Sequence, residues 1–168
     1  MTAKKDIEKF TDKLKAALSK RGGILDQDAL RAVGEQAIFI IVKRTRLGYG
    51  VKSSGAQRYK LPPLSNPYIE LRRRYKLDSN TSAKKSNLTR SGQLLNSMGI
   101  TGFTPNGVKV GPKGGRSDSS ASNADIAAYQ IKQGRTFNNL SDAEYRQLIR
   151  FVENDFTDIL RKKKLTLA

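Results

Sequence analysis

The chain has 168 residues and carries 32 Lys and Arg against 15 Asp and Glu, a formal net charge of +17. It has no cysteine and no histidine, which excludes disulfides, thiolate metal sites and the commonest general base and metal ligand. The length suits about one domain, and a hydrophobic share of 37% predicts a modest core with some segments outside it. A charge this large is more easily kept when an anionic partner offsets its self-repulsion. Nucleic acid is the leading candidate, with acidic protein surfaces and anionic lipid as the others.

The opening "MTAKKDIEKFTDKLK" has no apolar stretch able to act as a secretory signal. The longest apolar run is "AIFIIV" at 37–42, while a membrane span needs about 20 residues. A soluble protein made in a cytoplasm, with no membrane contact, is therefore expected. Ile7, Phe10, Leu14 and Leu18 recur at helical spacing and predict an amphipathic helix over about 4–20, stopped by the glycines of "RGG" at 21–23. Asp26 can cap a second helix running to about Arg44, with Leu30, Val33, Ala37, Ile40 and Ile41 on its inner side.

Residues 45–64 mix Gly, Ser and Pro without period and predict a long loop. A helix restarts at "SNPYIELRRRYKL", with Asn66 as cap, Pro67 first in the helix, and Tyr68, Leu71 and Tyr75 on one face. Residues 78–87 form a polar connector. Thr89 or Ser91 can cap a short helix holding Leu94, Leu95 and Met98. Two β-prone runs joined by "PNG" at 105–107 predict a hairpin. The glycine- and serine-rich stretch 111–123 predicts a second, flexible loop. "ADIAAYQIKQG" is a short helix closed by Gly134, and "RTFNNL" can add an edge strand. Ser141 and Glu144 form a capping box for a last helix, with Tyr145, Leu148, Val152, Phe156 and Ile159 at helical spacing and "RKKK" at its end. The fold class expected is α+β in a single domain over 1–168. A small antiparallel sheet on the 100–111 hairpin would carry helices mainly on one face, with long N- and C-terminal helices and extended loops. The helices over 26–44 and 141–160 should bury the most.

Thirteen Lys or Arg lie between Lys43 and Arg90, against only Glu70 and Asp78. Arg44, Arg46, Arg72, Arg73, Arg74, Lys84 and Lys85 are the candidate contacts for DNA or an acidic partner. Tyr49, Tyr59, Tyr68 and Tyr75 are interleaved with them. They fit either base stacking or packing beneath a solvated face. "GPKGGRS" at 111–117 lacks the Gly-x4-Gly-Lys-Ser/Thr order of a phosphate loop. Glu153 and Asp155 are two apart and point to different helix faces. No catalytic, cofactor-binding or metal residues are assigned, and the chain is not expected to be an enzyme.

The order of pieces carries a resemblance. "IVKRTRLGYG" is followed by "KLPPLSNPYIELRRR", "NLTRSGQLLNSM", a hairpin, "AAYQIKQGRTF" and "LSDAEYRQLIRFV". This resembles the bacteriophage virion-morphogenesis family of tail-completion, or head-to-tail joining, proteins. The match covers about 33–156. Its positions are Arg44, Thr45, Pro63, Leu64, Ser65, Tyr68, Leu88, Thr89, Gly92, Leu94, Ser97, Tyr129, Gly134, Arg135 and Phe137. Departures are Ser91–Gly92 in place of Thr-Gly, "NNL" after Phe137, and the serine-rich 117–123.

The resemblance implies a structural protein of the virion neck, assembled in the host cytoplasm. It implies a ring, six copies in the usual case, around the channel through which genomic DNA passes. The implied partners are the connector or head-completion protein and the tail tube or tail terminator. Gly92 would then permit close backbone packing, or be tolerated near a helix start. The rival reading is a small basic nucleic-acid-binding protein without a virion role.

Overall fold

The structure, a computed structural model, describes residues 27–52, 57–75, 82–89, 91–104 and 107–162. The predicted helix over 4–20, its glycine stop and the Asp26 cap lie outside them. Helix α1 (Gln27–Arg46) is the element on which the rest is built. Leu30, Ala37, Ile40 and Ile41 are buried, as their spacing predicts, and Val33 is half-buried. Lys43, Arg44 and Arg46 occupy its last turn, where cations complement the helix dipole. Gly48, at φ +89, then turns the chain through the left-handed region that glycine tolerates.

The expected hairpin is present as β3 (Met98–Thr104) and β4 (Gly107–Pro112), paired antiparallel. Its turn at 105–106 lies outside the described residues. The register shifts between Ile100 and Gly102, which leaves Thr101 as the extra residue of a bulge. α1 lies across this hairpin, and Gly34 packs directly against it. A Cβ on Gly34 would come 2.9 Å from Ile100 Cγ1 and 3.0 Å from Val108 Cγ2.

The segment expected to be a loop over 45–64 holds a second two-stranded sheet, β1 (Tyr49–Val51) with β2 (Arg58–Lys60). Strands of three residues show too little alternation to be read from sequence. Tyr59 fastens this sheet to the chain ahead of the last helix. Its hydroxyl donates to Gly134 O at 2.6 Å and accepts from Thr136 N at 2.8 Å. Val51 N donates to Thr136 O at 3.0 Å. That bond stands where an edge strand was expected at "RTFNNL"; residues 135–140 form no strand.

Among the described residues four further helices follow: α2 (Asn66–Tyr75), α3 (Gln93–Asn96), α4 (Asn123–Lys132) and α5 (Asp142–Lys162). α3 is capped by neither Thr89 nor Ser91. Gly92 takes the cap position at φ +73 and makes no side-chain cap bond. Its role is thus the backbone conformation, although a Cβ would also come 3.3 Å from Asn96 Nδ2. α4 ends as expected, with Gly134 at φ +74. The core gathers Ala37, Ile40 and Ile41 of α1 with Leu94, Leu95, Met98, Ala127, Phe137 and Leu140. The class is α+β, as expected. Of the last helix, whose side chains beyond 154 lie outside the described residues, Glu144 is buried and Leu148 packs on the core's edge, while the other described side chains are half-buried or exposed.

The stretch 111–123 is not the loose loop expected, because two polar side chains organise it. Arg116 donates from Nε to Asp118 Oδ1 and from Nη2 to Asp118 Oδ2, each at 2.8 Å, and also reaches Asn123 and Ser91. Asn123 Nδ2 donates to the carbonyls of Lys113, Gly114 and Gly115. A fork of donors and an amide thus satisfy the backbone that the glycines leave without a strand or helix.

Candidate functional site

The seven candidate cations divide by burial. Arg46, Arg73, Arg74, Lys84 and Lys85 are exposed. Arg46 donates to Asn96 Oδ1 at 2.9 Å, and Arg73 pairs with Glu70 one turn earlier on α2. Arg44 and Arg72, only 3% and 2% exposed, do not face outward, and the expectation that they contact a partner is corrected. Arg72 donates to Lys85 O at 2.9 Å, which ties α2 to the segment 82–89. Arg73 and Arg74 thus lie on a helix that Arg72 anchors to the segment carrying Lys84 and Lys85, while Arg46 ends α1.

Arg44 serves the fold through Glu144. Its Nη1 lies 2.7 Å from Glu144 Oε2 and also donates to Asn139 O at 2.8 Å, and its Nη2 donates to Phe137 O. Glu144 Oε2 accepts the Ser141 N–H at 2.8 Å, so the expected cap of α5 is also the counter-ion of α1. Glu144 Oε1 faces Arg58 Nη2 at 3.0 Å as an ion pair without a directed hydrogen bond. Burial pushes the Arg44 guanidinium below its ordinary pKa, while the Glu144 charge and hydrogen bond pull it back. One carboxylate thus joins α1, β2 and α5.

A groove of about 720 Å³ opens between α2, the segment 86–91 and α4. Pro63, Leu64, Ser65, Tyr68, Leu88, Thr89, Leu94, Tyr129 and Arg135 line it together, and all are positions that carry the resemblance. The remaining positions include its braces. Phe137 O and Gly134 O accept from Arg44 and Tyr59, and Gly92 turns the chain into α3. Leu88 holds φ +55, a conformation uncommon for a side chain of its size.

The groove is polar and aromatic. Tyr129 is 56% exposed, Tyr68 is half-buried, and hydroxyls of Ser65, Thr89 and Ser119 surround them. Arg116 and Asp118 satisfy each other at one wall, and the hydrogen bond from Arg116 holds the Asp118 carboxyl below its usual range. Such a surface suits an extended peptide, with hydroxyls and amides for its backbone and rings for its side chains. Sequence reasoning found these residues only as scattered motif positions, because their meeting depends on the Arg72 and Tyr59 bonds. It missed Arg116 and Asn123 entirely, since a Gly/Ser-rich context gives no sign that a loop is tied down.

Among the described residues no group of three or more His, Cys, Asp or Glu could hold a metal ion. No described helix is long and apolar enough to cross a membrane. Compared with protein-family models, with curated proteins and with solved structures, the chain finds no match in any of the three.

Proposed function

We propose that this chain is a structural subunit of a bacteriophage virion. It acts at the neck, where copies form a ring around the DNA channel and join the completed tail to the head connector. The observation that carries the reading is the convergence of the resemblance positions, from Pro63 to Arg135, on one groove. Positions shared for packing alone would be buried. Leu94 is buried in this way, but the other eight line an open cleft, where a neighbouring protein can reach them. Six copies is the number the resemblance implies, and head-to-tail contacts that close would build such a ring.

The exposed cations have a place in this reading. Arg46, Arg73, Arg74, Lys84 and Lys85 can meet the phosphates of DNA in the lumen or an acidic neighbour. Phosphate contacts carry no sequence preference, which suits a channel that any genome must pass. The test uses a phage or prophage that encodes the chain. Deleting its gene should leave DNA-filled heads and tails unjoined, as counted by negative-stain imaging, and the parent gene supplied in trans should restore joined particles. R73E/R74E and K84E/K85E should restore fewer. Normal numbers of joined, infectious particles without the protein would refute the reading. A sequence-specific DNA footprint would favour a free nucleic-acid-binding protein instead.

A further inference from the structure

We infer that copies of this chain join head to tail, with the outer half of α5 of one copy seated in a groove along α1 of the next. The inference deepens the ring reading and rests on it only for the number of copies.

The groove is separate from the one described above and has a volume of about 760 Å³. Ile38, Val42 and Ile100 contribute its apolar floor. Phe39 and Leu47, each 55% exposed, stand at its lip. Arg31, Lys43, Arg46 and Lys113 rim it, against the one anion Glu35. Lys43 Nζ lies 5.6 Å from the centroid of the Phe39 ring, so charge and apolar surface are interleaved. Apolar side chains gathered in an exposed groove mark a binding surface, and a groove along a helix suits another amphipathic helix.

A helix of the matching kind lies on the same chain. α5 has 21 residues, about 31 Å of helix. Among its described side chains Glu144 and Leu148 reach the core, and residues 149–154 are half-buried or exposed. None of residues 142–154 lines the α1 groove of its own chain. In the sequence, Val152, Phe156 and Ile159 continue the stripe from Leu148. Between Arg150 and Arg161 stand Glu153, Asp155 and Asp158, and no Lys or Arg. At about 100° per residue, Glu153 and Asp155 fall on opposite sides of that stripe. Residues 151–162 span about 18 Å, and Arg31 to Leu47 about 24 Å, so the helix fits along the groove.

Charge chooses this occupant over the other amphipathic stretch. Residues 1–20 hold six Lys against three Asp and Glu, the wrong sign for a basic rim. The net charge of +17 per copy opposes approach. Salt screens it beyond about 8 Å at physiological strength, so charges at the contact decide. The two surfaces differ, so the contact is heterologous and extends until it closes.

The chain has no cysteine, so introduced pairs report alone. Oxidised F39C/F156C protein should give a ladder of disulfide-linked multimers on a non-reducing gel, and either single variant at most a dimer. In sedimentation velocity the parent should associate. D155K/D158K and K43E/K113E should each lose that association alone and regain it when mixed, because each then supplies the charge the other needs. A parent that stays monomeric overturns the inference, as do charge variants that associate like the parent. An F10C/F39C bond within one chain would assign the groove to the chain's own N-terminal segment and overturn it too. A ladder from a protein whose loss leaves virions joined would sink the neck reading and keep this contact. Unjoined virions with no ladder would do the reverse.

Discussion

Arg44 and Glu144, one hundred positions apart, meet at 2.7 Å with both side chains closed off from water. The pair links the end of the central helix to the start of the last one. Glu144 also receives the Ser141 N–H, and Arg44 also holds the Phe137 and Asn139 carbonyls. Removing the carboxylate would leave a buried guanidinium beside Arg58 with no anion between them.

Glu144→Ala should therefore cost about 3–5 kcal/mol, the usual effect of breaking a buried pair from one side. Arg58 is half exposed, and Arg58→Ala should cost no more than about 1 kcal/mol. Urea unfolding of the purified proteins measures both. An E144A protein as stable as the parent would show that the pair contributes nothing net.

The three arginines of α2 should separate in the same assay. Arg72 is 2% exposed and bonds to the Lys85 carbonyl, whereas Arg74 is exposed. Arg72→Ala should cost roughly 1.5–3 kcal/mol, the range for a hydrogen bond from a charged group. Arg74→Ala should stay within about 0.5 kcal/mol, as ordinary surface changes do. Equal effects would mean that Arg72 is not the anchor of the helix.

The same arginines mark the limit of what sequence reveals here. Periodicity finds α1 and α5 because each repeats its pattern over enough residues, and the Asn-Gly turn between two β-prone runs finds the hairpin. It also finds the stops at Gly134 and the Ser141–Glu144 cap, whose chemistry is local. It does not say which face of α2 is covered. Tyr68, Leu71 and Tyr75 share a face, yet Leu71 and Tyr75 are exposed and Arg72 is buried. The neighbour there is the backbone of 82–89, which needs a donor rather than an apolar side chain. In the same way, the basic cluster is legible as a cluster. Which members are internal depends on Glu144 and Lys85, far along the chain or across a connector. The groove positions are visible as motifs, but their meeting is not.

Gly34 and Gly50 are two further positions whose role lies in packing. A methyl on Gly34 would press on Ile100 and Val108, and one on Gly50 would collide with the Thr136 carbonyl and the Tyr59 ring. Each Gly→Ala should destabilise by about 1–3 kcal/mol, the range for overpacking. Gly50→Ala should in addition expose the Val51 amide to hydrogen exchange, because the carbonyl it would displace is that amide's acceptor. Gly34→Ala should leave that amide protected at its distance from it. Unchanged exchange at Val51 in the G50A protein would show that β1 yields without losing the Thr136 bond.

The cap of α4 gives a prediction in pH. Ser122 Oγ donates to Asp125 Oδ2 at 2.6 Å, and the Ser122 N–H reaches the same oxygen at 3.0 Å. The side-chain hydrogen bond is the main cause that holds the Asp125 carboxyl below its ordinary value, with the backbone bond second. A carboxyl whose native pKa lies below its unfolded value binds a proton more readily in the unfolded chain. Its contribution to stability is therefore present above the unfolded pKa and is lost as pH falls through the native one. Asp118, held low by Arg116, acts in the same direction. Ser122→Ala removes the hydroxyl, so Asp125 should titrate closer to the ordinary 3.8 and the acid limb of the stability curve should become shallower. Carboxyl-carbon NMR titration of the parent and the variant reads the shift directly. An Asp125 that titrates identically in both would mean that the hydroxyl does not support the charge.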